Sequence, residues 1–171
     1  MTLAARVTAL LDAAQVAHAV IGAAALAAAG VVRSSLDLDL LTLDHRVLGA
    51  GFWSELSAAG IAIDVRRGDM EDPLAGVVRV TAGGERPVDL IVGRYAWQER
   101  AVTRARMLPS GQRVVQARDL VLLKLYAGGT QDLWDIRQLL ALPTGAALSA
   151  EVEEDLPALP ASAAVLWRSA H

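Results

Sequence analysis

The strictest pattern in the chain is the alternation Leu36-Asp37-Leu38-Asp39-Leu40. Period two over Ser35 to Leu40 predicts a half-buried strand, because successive side chains of a strand leave on opposite faces. Leu36, Leu38 and Leu40 are then expected in the core. Asp37 and Asp39 share the other face, with Cα atoms about 6.5–7 Å apart at the usual rise per residue. Two carboxylates brought to about 4 Å repel by about 4 kcal/mol at an effective dielectric of about 20. A compensating positive charge is therefore expected beside this strand. A divalent cation qualifies, since Mg²⁺ is held by one or two carboxylates together with substrate phosphates. A polar outer face on an antiparallel strand is the plainer alternative.

At 171 residues the chain is long enough to bury a substantial core as one domain. A net charge of −3 gives no global signature of nucleic-acid or membrane binding. Cysteine is absent, which excludes disulfides, cysteine nucleophiles and thiolate zinc sites. His18, His45 and His171 are scattered, without metal-ligand spacing. The apolar fraction of 54% raises the question of a membrane span, and Ala13 to Val32 is a twenty-residue stretch without formal charge. Ten of those residues are alanine, however, and Gln15, His18, Gly22 and Gly30 interrupt the rest, short of what a spanning helix needs. A signal peptide is also disfavoured, because Asp12 breaks the apolar region and only Arg6 supplies positive charge. A soluble, cytoplasmic protein is expected. Fifteen arginines stand against a single lysine, Lys124, which singles that residue out.

Along the chain, Leu3, Val7, Leu10 and Leu11 have the spacing of an amphipathic helix over Thr2 to Ala14. A short strand is expected within Gln15 to Ile21, then a turn at Gly22 and a helix over Ala23 to Ala29. After the strand Ser35 to Leu41, Asp44 is a plausible N-cap for a helix from His45 to Ala59. Ile61 to Val65 reads as a strand, and Val77–Thr81 with Arg86–Val92 as a hairpin about Ala82-Gly83-Gly84-Glu85. A helix over Tyr95 to Arg106, a short strand at Val114-Val115, and helices over Arg118–Ala127 and Gln131–Leu142 follow. The Ala/Pro/Glu-rich tail carries one expected helix, near Ser162 to Ser169.

Asp89 lies between Val88 and Leu90 and is expected to face away from them, in the phase of Asp37 and Asp39. If its strand lies beside the central one, three carboxylates converge on one patch of sheet. Such a set, with a triphosphate, makes a site for one or two Mg²⁺ ions that activate a hydroxyl and stabilise a leaving oxygen. Asp64 competes for the third position and ranks lower, because Arg66 and Arg67 follow it.

These residues resemble a family. Ile21-Gly22-Ala23, thirteen further positions, Asp37-Leu38-Asp39 and the later Val88-Asp89-Leu90 look like the nucleotidyltransferase fold shared with polymerase β. The longer pattern from Gly22 through Ala25-Leu26, Gly30 and Arg33-Ser34-Ser35 to Asp39 resembles small bacterial members related to AbiEii-type toxins. So does the run Asp119 to Ile136, with Lys124 and Asp132. The resemblance covers roughly residues 16 to 142 and implies an α+β fold, a mixed sheet flanked by helices. It places a nucleotidyltransferase-like core in residues 1–116 and a helical segment in 117–171, packed together as one compact domain.

The implied activity moves a nucleoside monophosphate from an NTP to an acceptor hydroxyl, with Mg²⁺ or Mn²⁺ and loss of pyrophosphate. Asp37 and Asp39 would hold the ion, and Asp89 would bind a second ion and accept the acceptor's proton. Gly22, Ala23, Arg33, Ser34, Lys124 and Asp132 would contact the nucleotide, the phosphates lying at a helix N-terminus. A toxin role would add an antitoxin protein as partner. Plainer readings stand beside each role: Gly22 makes a turn, Arg33 pairs with an acid, Lys124 snorkels to water, and Asp132 favours its helix N-terminus. Ala23 departs from the Gly-Ser or Gly-Gly of many members and removes a hydroxyl. A catalytically weak domain that binds nucleotide or a partner is therefore the alternative. An unrelated metal hydrolase is weaker still, for want of histidine ligands and a P-loop lysine motif. The acceptor is open, with RNA as one candidate. Residues 94–118 carry Arg94, Arg100, Arg104, Arg106, Arg113 and Arg118 against Glu99 alone, and Arg100, Arg104 and Trp97 are expected on one helix face, able to guide and stack RNA.

Overall fold

The computed structural model describes residues 1–171. Seven strands form one mixed sheet: β1 (His18–Val20), β2 (Leu38–Thr42), β3 (Ala62–Arg67), β4 (Gly76–Thr81), β5 (Val88–Val92), β6 (Arg106–Met107) and β7 (Arg113–Val114). Their order across the sheet is β3-β4-β5-β2-β1-β7-β6. β2 runs parallel to β5 and β1 parallel to β7, while every other neighbouring pair is antiparallel. The hairpin β4–β5 therefore delivers β5 directly against β2, in the middle of the sheet.

Eight helices flank the strands: α1 (Leu3–Ala13), α2 (Gly22–Ala28), α3 (Ser54–Ala58), α4 (Ala96–Thr103), α5 (Ala117–Ala127), α6 (Thr130–Leu140), α7 (Gly145–Asp155) and α8 (Ala161–Ala170). Leu3, Val7 and Leu11 are the buried stripe of α1, as their spacing predicts. α5 is the hub of the helical part and touches α2, α4, α6, α7 and α8. Its Leu120, Val121, Leu122 and Leu125 are all buried. One contiguous core of 40 buried residues runs from Leu3 to Ala170, joining sheet and helices. No helix is long and apolar enough to cross a membrane.

Three local expectations are corrected. Leu36 is 86% exposed, because β2 begins only at Leu38. The ladder stops there for a reason: Leu38 N–H donates to the Pro87 carbonyl at 2.9 Å, and Pro87 has no N–H to continue the pairing. The Asp37 carbonyl accepts instead from Arg86 Nη2 at 2.6 Å. The helix expected over His45 to Ala59 is two 3₁₀ turns, His45–Leu48 and Ala50–Trp53, followed by the short α3. Gly49 and Gly51 weaken a continuous helix there; Asp44 still caps its start, accepting from Arg46 N–H at 3.0 Å. The tail holds two helices rather than one, since Leu148 and Val152 give α7 a buried face against α5 and α6.

Candidate active site

The site is set by strand phase and register. Leu38, Leu40, Val88, Leu90, Val78 and Val80 are all buried in the core. Asp39, Asp89 and Arg79 alternate with them and emerge together on the opposite face. In register, Asp39 lies beside Asp89 across β2 and β5, and Arg79 lies beside Asp89 across β4 and β5. Asp37 precedes β2 in a bend in which the Ser35 hydroxyl donates to the Asp37 carbonyl at 3.0 Å.

Arg79 joins two of the carboxylates. Its Nη1 donates to Asp89 Oδ2 at 2.8 Å and its Nη2 to Asp37 Oδ2 at 3.2 Å. Asp39 has no such partner. Burial, followed by repulsion from Asp89 and Asp37, raises its pKa to about 6, against the opposing pull of Arg86 and Arg33. Burial also raises the Asp89 pKa; Arg79 pulls it down and Asp37 pushes it up. Asp89 Oδ1 is buried without a hydrogen-bond partner.

Gly22 closes this patch from above. The Ile21 N–H donates to the Asp39 carbonyl at 2.9 Å, which draws the start of α2 over β2. Gly22 has φ +62°, and a Cβ there would stand 2.1 Å from Asp39 Oδ2. Only glycine combines that backbone with that approach. Ala23 is buried, so what it offers a ligand is its backbone amide. Ser34 is exposed in the loop between α2 and β2.

Arg33 belongs to a second ionic cluster beside the first. Its Nε lies 3.4 Å from Asp135 Oδ1. Asp135 is fully buried and also receives Lys124 Nζ at 2.5 Å, and Lys124 reaches Asp132 at 2.9 Å. The single lysine is thus only 6% exposed and committed to two carboxylates on α6. Arg137, two positions from Asp135, donates to the Ser169 carbonyl. Asp64, the lower-ranked third ligand, pairs with Arg66 at 3.0 Å on the edge strand β3.

Of the arginines expected to form a basic face over 94–118, Arg100, Arg104 and Arg118 gather about one acid, whereas Arg94, Arg106 and Arg113 have no carboxylate within ion-pair distance. Arg104 and Arg118 bind Asp155 at 2.9 and 2.7 Å, and Arg100 lies 3.7 Å from it. Trp97 is 4% exposed and packs edge-on against Tyr126, so its ring is not free to stack a base. A cavity of about 430 Å³ opens between α2, α6, α7 and β7, lined chiefly by residues such as Ala25, Val115, Leu139 and Leu148. Asp37, Asp39 and Asp89 do not line it, and its polar residues are Arg106, Gln116, Thr144 and Glu151.

As folded, no three carboxylate or histidine side chains stand close enough together to hold a metal ion. The donor chemistry nevertheless fits a hard cation. Asp39 and Asp89 on adjacent strands and Asp37 just before β2 offer oxygens only, one of them orphaned, and their mutual repulsion is what an ion relieves. The position between Asp37 and Asp89 is spanned by Arg79.

The hairpin strand parallel to β2, the glycine at the start of α2 and the carboxylates beneath it define a nucleotidyltransferase-like fold. A solved structure similar to this chain is that of ANT(2″)-Ia in complex with adenylyl-2″-tobramycin, with a TM-score of 0.50 at 14% identity over 98% of this chain and 94% of that one. No family model matches the chain, and no curated protein does either.

Arg79 is the residue of this patch that the sequence pattern did not bring out. A signal was present: Arg79 and Asp89 stand five positions either side of Gly84, the centre of the hairpin, so a symmetric hairpin pairs them.

Proposed function

We propose that the protein is a metal-dependent nucleotidyltransferase that moves a nucleoside monophosphate from an NTP to an acceptor hydroxyl. The observation that carries this reading is the register that sets Asp39 beside Asp89, with Gly22 against Asp39 Oδ2. Asp37, Asp39 and Asp89 would hold Mg²⁺ or Mn²⁺, which supplies charge neutralisation at the triphosphate and lowers the pKa of a coordinated hydroxyl. Backbone amides at Gly22 and Ala23, with Ser34 and Arg33, face the phosphates. Lys124 and Asp132 support them by fixing Asp135, against which Arg33 rests.

In the transfer, the acceptor oxygen forms a bond to the α-phosphorus as the bond to the bridging oxygen of pyrophosphate breaks. Asp89 takes the acceptor's proton, a role suited to a carboxylate whose burial makes it more basic than usual. The neighbour of known structure was solved with an adenylylated aminoglycoside, which supports a hydroxylated acceptor. A place as the toxin of a toxin–antitoxin pair rests on the likeness of the Asp119–Ile136 run to AbiEii-type proteins.

The test is pyrophosphate release with each NTP and Mg²⁺, using hydroxylated small molecules and cellular RNA as acceptors. Asp39→Asn and Asp89→Asn should each lower the rate by at least about 100-fold without loss of fold. Wild-type turnover in the double Asn variant would remove the assignment. A second reading has its own observation: Arg79 already bridges Asp37 and Asp89, as in a domain that binds nucleotide or a partner without turnover. NTP binding with no pyrophosphate release for any acceptor would favour it.

A further inference from the structure

Arg79 occupies an unusual position for a residue outside the expected constellation. Its guanidinium bridges Asp89 at 2.8 Å and Asp37 at 3.2 Å, so two of the three candidate ligands are already held by a protein-borne cation. The third, Asp39, is left outside the bridge and carries the charge imbalance. Arg79 is fixed at its base by strand pairing to Asp89 and to Asp64, yet its side chain is 39% exposed at the tip. A long side chain anchored in a strand but open to water can leave its partners without disturbing the sheet. Asp64, its other cross-strand neighbour, has a side chain 54% exposed and is held only by Arg66.

We infer that Arg79 is a tethered, displaceable counter-ion: it keeps Asp37 and Asp89 paired in the ion-free protein and competes directly with a divalent ion for them. This rests on the reading of Asp37, Asp39 and Asp89 as the ion's ligands. It gives Arg79 a positioning role, because the bridge holds both carboxylates toward one point before any ion arrives. It also sets a threshold, because an ion must replace two charge-assisted hydrogen bonds, each stronger than a neutral one. Ion binding then releases one unit of positive charge beside the same patch, where an anionic phosphate is the natural partner. Nucleotide and ion should consequently favour each other's binding, by linkage.

The experiment is titration of the nucleotide-free protein with Mn²⁺, followed by electron paramagnetic resonance of the free ion and by the shift in melting temperature. Arg79→Gln should bind Mn²⁺ about 10- to 100-fold more tightly than wild type, the range expected for removing charged hydrogen bonds that the ion must break. Arg79→Lys, which keeps the charge but loses the planar fork that meets Asp37 and Asp89 through separate nitrogens, should fall between the two. Asp37→Asn/Asp89→Asn should bind no ion. Equal or weaker Mn²⁺ binding by Arg79→Gln, with wild-type binding that depends on Asp37 and Asp89, overturns the counter-ion role and leaves the ligand assignment standing. No Mn²⁺ binding by any variant overturns both. Should Gln at position 79 leave the chain unfolded by circular dichroism, Arg79→Lys carries the test, and an affinity no tighter than wild type overturns the inference.

Discussion

Gly22 shows how much a single residue decides. Its backbone is left-handed at φ +62°, and the space where a Cβ would go is already filled by Asp39 Oδ2. An L-residue there meets two separate penalties, the backbone one being about 1–2 kcal/mol. Gly60 separates them, because it has φ +78° with nothing within 4 Å of its hypothetical Cβ. Gly60→Ala should therefore lose only the backbone part, whereas Gly22→Ala should lose more and displace the Asp39 carboxylate. Urea denaturation of both variants measures the difference. Equal losses would mean that the contact with Asp39 carries no energy. The carboxylates themselves were legible from alternation, because Val88, Leu90, Leu38 and Leu40 bury and force their neighbours outward. Arg79 was not singled out, since one arginine among fifteen stands out only once the symmetry of the hairpin is used to pair it with Asp89.

At the scale of elements, the informative pair is α5 and α6. Lys124 was expected to meet phosphate as a point charge, and the structure commits its ammonium to Asp132 and Asp135. These contacts clamp the two helices across the Gly128-Gly129 turn, where Gly128 caps α5 at φ +70°. Asp135 is fully buried, so removing the lysine leaves a carboxylate short of positive charge in the interior. Lys124→Met should lower stability by about 3–5 kcal/mol, the usual penalty for breaking a buried pair. Lys124→Met/Asp135→Leu should be destabilised by less than the sum of its parts, by at least about 1 kcal/mol. Additive losses in chemical denaturation would show that the two charges do not act together. Any weakening of nucleotide binding by Lys124→Met should then follow a shift of Asp135 toward Arg33, its remaining cationic partner, rather than loss of a direct contact.

Across the whole molecule, helices far apart in sequence are joined by one acid. Asp155 at the end of α7 receives Arg104 from the end of α4 and Arg118 from α5, with Arg100 nearby. Burial alone would raise its pKa, but hydrogen bonds from Arg104 and Arg118 outweigh this and hold it below the ordinary 3.8. A carboxylate held down in the folded state adds stability above its unfolded pKa and loses it as pH falls through the lower folded value. Asp155→Asn should thus be less stable than wild type by about 1.5–3 kcal/mol at pH values near 7. The gap should close only below pH 3.8, the ordinary carboxylate value from which Asp155 is lowered. Asp119, buried beneath the same arginines, shifts the other way because burial raises its pKa, so the measurement is the difference between variant and wild type at each pH. A gap that stays constant down to pH values of about 2 would exclude the ion pairs as its source.

The sequence by itself determined the phase of β2 and β5 and the buried face of α1, because these follow from local periodicity. It also brought out Gly22, Asp37, Asp39 and Asp89, whose neighbours dictate which way they point. Only the tertiary structure decided what those groups meet. Pro87 ends the ladder at Leu38 and so leaves Leu36 in water. Register across β4 and β5 brings Arg79 to Asp89, and chain reversal after α5 brings Asp135 to Lys124. Asp155 draws Arg104 and Arg118, with Arg100 nearby, into one ion-pair cluster. Charge pairing in these clusters joins residues from 8 positions apart, Lys124 and Asp132, to 102 apart, Arg33 and Asp135. A local pattern fixes direction, but only closure of the chain fixes distance.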